Sequence, residues 1–172
     1  ITSEYRRYYP ERESMAHIVG FTDIQDKGQD GMELSNDELL SGKDGQKHVV
    51  IDRLGRVVDD LGDFQPPRNG KDLQLSVDSK IQGISYEALK KAVTDNRAKS
   101  GSAVVLDSIT GEVLAMANYP SYDPNNRSNM TGDQLRNRVL TDTFEPGSTM
   151  KPITISLSKA KSLSKLDDVL FL

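Results

Sequence analysis

Cysteine and tryptophan are both missing from this chain. Without thiols there is no disulfide framework, and cysteine usage leaves periplasm and cytoplasm equally open. Histidine is scarce: His17 and His48 lie far apart with no cysteine beside them, so no zinc-type metal site and no cofactor is expected. No run of about 20 apolar residues occurs, which excludes a bilayer-spanning helix within these residues. Clusters of Lys and Arg interleaved with aromatics are absent as well. The 22 basic and 26 acidic residues leave a net charge of −4, and the lysines around 159–165 are a local feature, so nucleic acid is not an expected partner. The acidic pairs Asp59–Asp60 and Asp167–Asp168 are adjacent, and adjacent side chains diverge, so a glycosidase-type carboxylate pair is not indicated. What remains is an ordinary globular composition, 35% apolar and 28% charged over 172 residues, enough for one or two small domains with a modest core.

The first 70 residues are rich in Gly, Asp and Arg, with apolar residues in short groups, and they predict β and irregular structure. Residues 48–61 alternate around Leu54–Gly55 and read as a hairpin. Pro66 to Gly70 (PPRNG) is a strong breaker and the predicted domain boundary. Leu73, Leu75 and Val77 alternate as in a short strand, and Asp78 and Ser79 suit the cap of a following helix that runs to about Arg97. In that helix Ile81, Ile84, Ala88, Leu89, Ala92 and Val93 recur at three-to-four spacing and predict the face packed on a sheet. Residues 103–106 and 113–117 form a second hairpin around DSITG, where Asp107 and Gly111 supply the turn chemistry. Residues 118–130 read as a loop, and a short helix is expected around 131–137.

The chemistry concentrates in residues 144–152, FEPGSTMKP. Ser148 stands three positions before Lys151. On a helix an i, i+3 pair differs by roughly 60° in direction and about one turn in height, so the hydroxyl and the amine can touch. A serine hydroxyl attacks only when a base takes its proton, and a lysine crowded at a buried helix start can have its pKa lowered enough to serve. The backbone N–H of Ser148, unpaired at such a start, would supply half of an oxyanion site. The bare pattern recurs at Ser156/Lys159, Ser158/Lys161 and Ser162/Lys165, which read as a solvated basic face. Only Ser148 has Pro146–Gly147 before it and Pro152 after it, a combination that marks a helix beginning, and the helix is expected to run to about Lys161.

The stretch RNRVLTDTFEPGSTMKP, residues 136–152, resembles the active-site segment of class B penicillin-binding proteins, and most closely the division-specific type. Upstream, SGSAVVLDSITGEVLAMANYPSYDPNN resembles the first hairpin and following loop of the same transpeptidase domain. YRRYYPERESMAHIVGFT and GQDGMELSNDELLSGKDG resemble boxes of the non-catalytic pedestal that carries it. The resemblance implies an α+β fold: a β-rich irregular pedestal over residues 1–70, then the first part of a serine transpeptidase domain over 71–172, an antiparallel sheet with packed helices. It implies that Glu33 pairs with an arginine, with Arg7 the candidate, and that the glycines of the Gly28-x-x-Gly31-x-Glu33 stretch serve turns rather than a phosphate loop. Lys99–Ser100–Gly101 resembles the family's Lys-Thr/Ser-Gly box, but it precedes the S-x-x-K helix where the true box follows it.

The activity implied is that of a peptidoglycan D,D-transpeptidase, with Ser148 as nucleophile and Lys151 as base, acting on stem peptides and trapped by β-lactams. Further expectations are a membrane anchor upstream of Ile1, the periplasmic face of the inner membrane, and division or elongation membrane proteins as partners of the pedestal. The family's Ser-x-Asn box and its true Lys-Thr/Ser-Gly box do not occur in this sequence, and residues 156–172 lack the Gly-containing turn that the pattern leads one to expect. The chain as written is therefore expected not to acylate with penicillin. Two other readings stay open: a D,D-carboxypeptidase or β-lactamase of the same superfamily, and a non-catalytic interaction module.

Overall fold

The computed structural model of the protein describes residues 6–160. Residues up to Thr141 form one compact unit and those from Asp142 onward a second. In the first unit the order is α1 (Arg12–Val19), α2 (Gly31–Ser35), α3 (Asp37–Leu40), β1 (Gln46–Ile51), β2 (Val57–Gln65), α4 (Ser79–Asp95), β3 (Gly101–Leu106), β4 (Val113–Tyr119), α5 (Gly132–Leu135) and α6 (Arg138–Thr141). The mixture of helices with antiparallel hairpins is the α+β class expected from the sequence.

Both hairpins form as read. β1 and β2 pair antiparallel, with Val50 opposite Asp59. Their turn is built by Asp52, whose Oδ1 accepts the N–H groups of Leu54 (2.8 Å) and Arg56 (3.0 Å) while Oδ2 accepts Nε of Arg56 at 2.7 Å. β3 and β4 pair with Val104 opposite Met116. Asp107 repeats the device, accepting the N–H groups of Ile109 (2.7 Å) and Thr110 (2.8 Å). These bonds to the ionised carboxylates hold both Asp52 and Asp107 below the usual carboxylate pKa.

Three readings are corrected. Residues 12–19 are helical although the first 70 residues were expected to be β or irregular, because two turns are too short for a periodicity to declare itself. Residues 71–77 do not form a strand. They are irregular, with a bend at Ser76, and bond to β4, where Ser76 Oγ donates to the Val113 carbonyl (2.8 Å) and the Asp78 N–H to that of Leu114 (3.0 Å). The packed face of α4 is rotated: Gln82, Tyr86 and Val93 are buried, whereas Ile84 is 71% exposed. The cap itself is as expected, with Asp78 Oδ1 accepting from Lys80 and Ile81.

α4 lies on the β3–β4 hairpin, over the fully buried Ala115 and Ala117, whose small side chains let the helix approach. Close approach also explains the glycine of the Lys99–Ser100–Gly101 stretch: a Cβ at Gly101 would stand 2.8 Å from Val93 Cγ2 and 3.0 Å from Leu89 Cδ1. Gly20 and Gly31, both at positive φ, let the end of α1 abut the start of α2; a Cβ on Gly20 would fall 1.8 Å from the Asp30 carbonyl oxygen. Glu33 in α2 is buried and held by Arg7 through two contacts, Nε to Oε1 at 3.0 Å and an Nη to Oε2 at 3.3 Å, the partner anticipated for it.

Candidate active site

In the second unit Pro146 leads into a single 3₁₀ turn, Gly147–Met150, continued by α7, Lys151–Ala160. Gly147 sits at φ +50, a conformation that glycine adopts without the penalty a Cβ brings, and so permits the sharp entry. The Thr149 N–H and its hydroxyl both bond back to the Pro146 carbonyl, closing the turn. The Lys151 N–H donates to the Ser148 carbonyl, so these two residues are linked by an i to i+3 bond. In a 3₁₀ turn side chains three apart eclipse one another about 6 Å apart along the axis, a span the lysine stem can fold back across. Ser148 and Lys151 thus share one face of the turn.

The segment is open. Residues 143–157 are exposed throughout, and among the described residues the Ser148 hydroxyl, its backbone N–H and the Lys151 ammonium have no hydrogen-bond partner. Hydroxyl and amine thus share a face of the turn but are neither bonded to one another nor enclosed. α7 also carries Ile153, Ile155 and Leu157 at 60%, 43% and 54% exposure, more apolar surface than a solvated helix usually presents. Of the other S-x-x-K matches, Ser156, Ser158 and Lys159 lie on α7, while Lys161, Ser162 and Lys165 lie outside the described residues.

In the first unit the structure shows buried polar residues that the sequence reading did not single out. Gln82, wholly buried, accepts the Met116 N–H at 2.7 Å, donates to the Met116 carbonyl at 3.1 Å and to the Ser14 carbonyl at 2.5 Å. It closes the edge of β4 as a third strand would and ties that edge to α1. The buried Asn118 accepts the Val139 N–H at 2.9 Å and donates to Asn137 Oδ1 at 3.0 Å, and Asn137 in turn donates to the His17 carbonyl at 3.2 Å. Ser121 Oγ and the Tyr122 hydroxyl donate to the carbonyls of Glu13 (2.7 Å) and Ala16 (3.1 Å). Asn125 brackets Tyr9, accepting its N–H at 3.0 Å and donating to its carbonyl at 2.8 Å. Burial pushes the Tyr86 and Tyr122 hydroxyls up, away from ionisation, and the carboxylate of Glu13 adds to this at Tyr86. Polar residue types carry no periodic signal, so only Asn and Ser density in residues 118–130 could have hinted at this network.

Residues 1–75 match the model of the penicillin-binding protein dimerisation domain and residues 101–171 that of the penicillin binding protein transpeptidase domain. The chain is 49% identical over 166 residues to a probable peptidoglycan D,D-transpeptidase PenA of Neisseria gonorrhoeae, covering 95% of this chain and 28% of that one. It is 45% identical over 172 residues to the peptidoglycan D,D-transpeptidase FtsI of Escherichia coli K12, covering 99% of this chain and 29% of that one. Among solved structures it resembles penicillin binding protein 3 of Mycobacterium tuberculosis complexed with aztreonam, at a TM-score of 0.76 and 33% identity, over 92% of this chain and 32% of the other. The chain spans less than a third of the length of these relatives. With both domain models matched in order along one sequence, the chain belongs to the class B penicillin-binding proteins.

Proposed function

We propose that these residues are the pedestal (1–70) and the first part of the transpeptidase domain (71–172) of a peptidoglycan D,D-transpeptidase that serves septal synthesis from the periplasmic face of the inner membrane. The observation that carries the reading is the linked 3₁₀ turn in which Ser148 and Lys151 share one face. Ser148 Oγ attacks the carbonyl between the last two D-alanines of a stem peptide while Lys151 takes its proton. The amide C–N bond breaks, D-alanine leaves with that proton on its nitrogen, and an acyl-serine ester remains. An amine from a neighbouring strand then attacks the ester, restoring the hydroxyl and forming the crosslink. A β-lactam enters the same sequence but keeps its leaving group tethered, so the serine stays acylated.

The exposure of the turn and of α7 supports a division of labour in which further walls of the pocket come from residues beyond those described, as the greater length of the relatives suggests. The test is covalent labelling of the full-length parent by a fluorescent penicillin. Ser148→Ala is expected to abolish the adduct in mass spectrometry, and a surviving adduct overturns the assignment. The 172-residue chain alone is expected to remain unlabelled.

A second role, docking of division or elongation membrane proteins on the pedestal, is favoured by the β1–β2 ribbon. It exposes Ile51, Leu54, Val57, Val58 and Phe64 by 61 to 77%, more apolar surface than an isolated two-stranded ribbon keeps in water. Leu54→Lys together with Val58→Lys is expected to abolish co-purification of the parent with such proteins while penicillin labelling persists.

A further inference from the structure

We infer that His17 is a protonation-sensitive latch that fastens α1 to residues 120–141 and releases it on acidification. The ring is 5% exposed and packs edge-on against Tyr122, with ring centres 5.5 Å apart. Its Nε2 lies 2.7 Å from the Gln134 carbonyl oxygen, which can only accept, so Nε2 carries the proton and the neutral ring has a bare Nδ1. That nitrogen stands 3.5 Å from Ser121 Oγ, whose single proton is already committed to the Glu13 carbonyl at 2.7 Å. The neutral state is thus complete, with one good bond and no competing donor at Nδ1.

Protonation keeps the Gln134 bond but upsets the rest of the site. The new Nδ1–H has only the Ser121 oxygen to reach, at a distance that must shorten by roughly half an ångström to make a good bond. The buried cation is then opposed by the charge of Arg138, whose side chain is 9% exposed and whose buried Nε has no hydrogen-bond partner among the described residues. The Gln134 carbonyl favours the cation, and Asp30, ahead of α2, is the carboxylate among the described residues that does so too, but burial outweighs both. Glu13 on its own helix is occupied by Tyr86 at 3.0 Å and Lys90 at 3.7 Å, both on α4, and the ring also meets the phenol of Tyr122 and the Gln134 carbonyl of α5. Burial accordingly holds the ring below the ordinary histidine range. The ring escapes the conflict by leaving its site, which breaks the Gln134 bond and loosens the Asn137 bond to the His17 carbonyl. Three further ties to α1 end on its backbone carbonyls from single hydroxyl or amide donors, the Glu13 carboxylate holds it to α4, and Ala16 and Ile18 are the buried apolar side chains that release would expose.

Hydrogen–deuterium exchange of the α1 amides, followed from pH 7.5 to pH 5 and corrected for intrinsic rates, tests this on the whole chain. One linked proton gives at most a tenfold change per pH unit; protection of α1 is expected to fall toward that slope once the pH drops below the ordinary histidine value of 6.5, where the released ring protonates, and to level off below the lowered midpoint of the enclosed ring, while α4 keeps its own. His17→Gln, whose amide can still donate to the Gln134 carbonyl, is expected to remain protected and to lose the pH dependence; His48→Gln is expected to keep it. Should His17→Gln fail to fold, the ring signals of His17 in the wild-type chain must titrate with the same midpoint as the α1 amide shifts. PH-independent protection in the wild type, an unchanged slope in His17→Gln, or separate midpoints would each overturn the latch.

Discussion

The demand that Gln82 meets is quantitative, and Gln82→Leu measures it. Leucine nearly conserves the volume but removes three hydrogen bonds at once, to the Met116 N–H, the Met116 carbonyl and the Ser14 carbonyl. At about 1 kcal/mol net for each of the two bonds to carbonyls, plus about 1–3 kcal/mol for the stranded Met116 N–H, the loss comes to roughly 3–5 kcal/mol. That is a large share of the roughly 5–15 kcal/mol that holds a domain together. With a urea m-value of about 2 kcal/mol/M, the unfolding midpoint at pH 7 should fall by roughly 1.5–2.5 M, read by circular dichroism. Gln82→Glu separates hydrogen bonding from packing. Its carboxylate can accept from Met116 but faces two carbonyl oxygens it cannot donate to, so burial raises its pKa above the unfolded value of about 4.3. A raised folded pKa means stability gained as pH falls, because the protonated carboxyl regains one donor. This variant should therefore recover stability from pH 7 toward pH 5 relative to Gln82→Leu. A midpoint shift under 0.5 M for Gln82→Leu, or no relative gain for Gln82→Glu in acid, would refute the view that this amide closes the edge of β4.

Other outcomes follow from the same geometry. Gly101→Ala places a Cβ 2.8 Å from Val93 Cγ2, so α4 must shift from β3 and the melting transition should drop by the equivalent of about 1–2 kcal/mol. Arg7→Ala leaves the buried Glu33 carboxylate without its two charged contacts; because the arginine is itself 41% exposed, the loss should be about 1–3 kcal/mol in urea, and adding Glu33→Gln should restore part of it. Asp107 is held below its ordinary pKa of 3.8, so its contribution to the β3–β4 turn is present above that value and is lost as pH falls through the lower folded one; Asp107→Ala should remove this acid dependence from the exchange of the Ile109 and Thr110 amides.

The parts of the fold legible in the sequence were those whose cause is local. Asp52 and Asp107 make turns with their own following N–H groups, Asp78 caps the helix it begins, and the alternation on either side of each turn fixes the strands. α4 was legible as a helix but not in its orientation. Apolar spacing pointed to Ile84, yet the buried line runs through Gln82 and Tyr86, because the amide completes the edge of β4 and the phenol reaches Glu13, partners that no apolar periodicity records. Residues 71–77 alternate like a strand, but isolated bonds to Val113 and Leu114 satisfy them in place of a ladder.

The candidate site divides along the same line. Its residue types and order were visible because Pro146, Gly147 and Pro152 constrain the backbone by covalent geometry alone, and the resulting 3₁₀ turn brings Ser148 and Lys151 onto one face without help from tertiary packing. Activation of the pair is a different matter, since a lysine works as a base only where burial or a neighbouring charge disfavours its proton. Both side chains lie in solvent here, and the apolar residues of α7 beside them are exposed as well. A layer that buried Ile153, Ile155 and Leu157 would also exclude water from the turn that precedes them and so supply the desolvation that the proposed pair lacks. The turn sets Ser148 and Lys151 on one face, and burial of that face is the condition on which the proposed proton transfer between them depends.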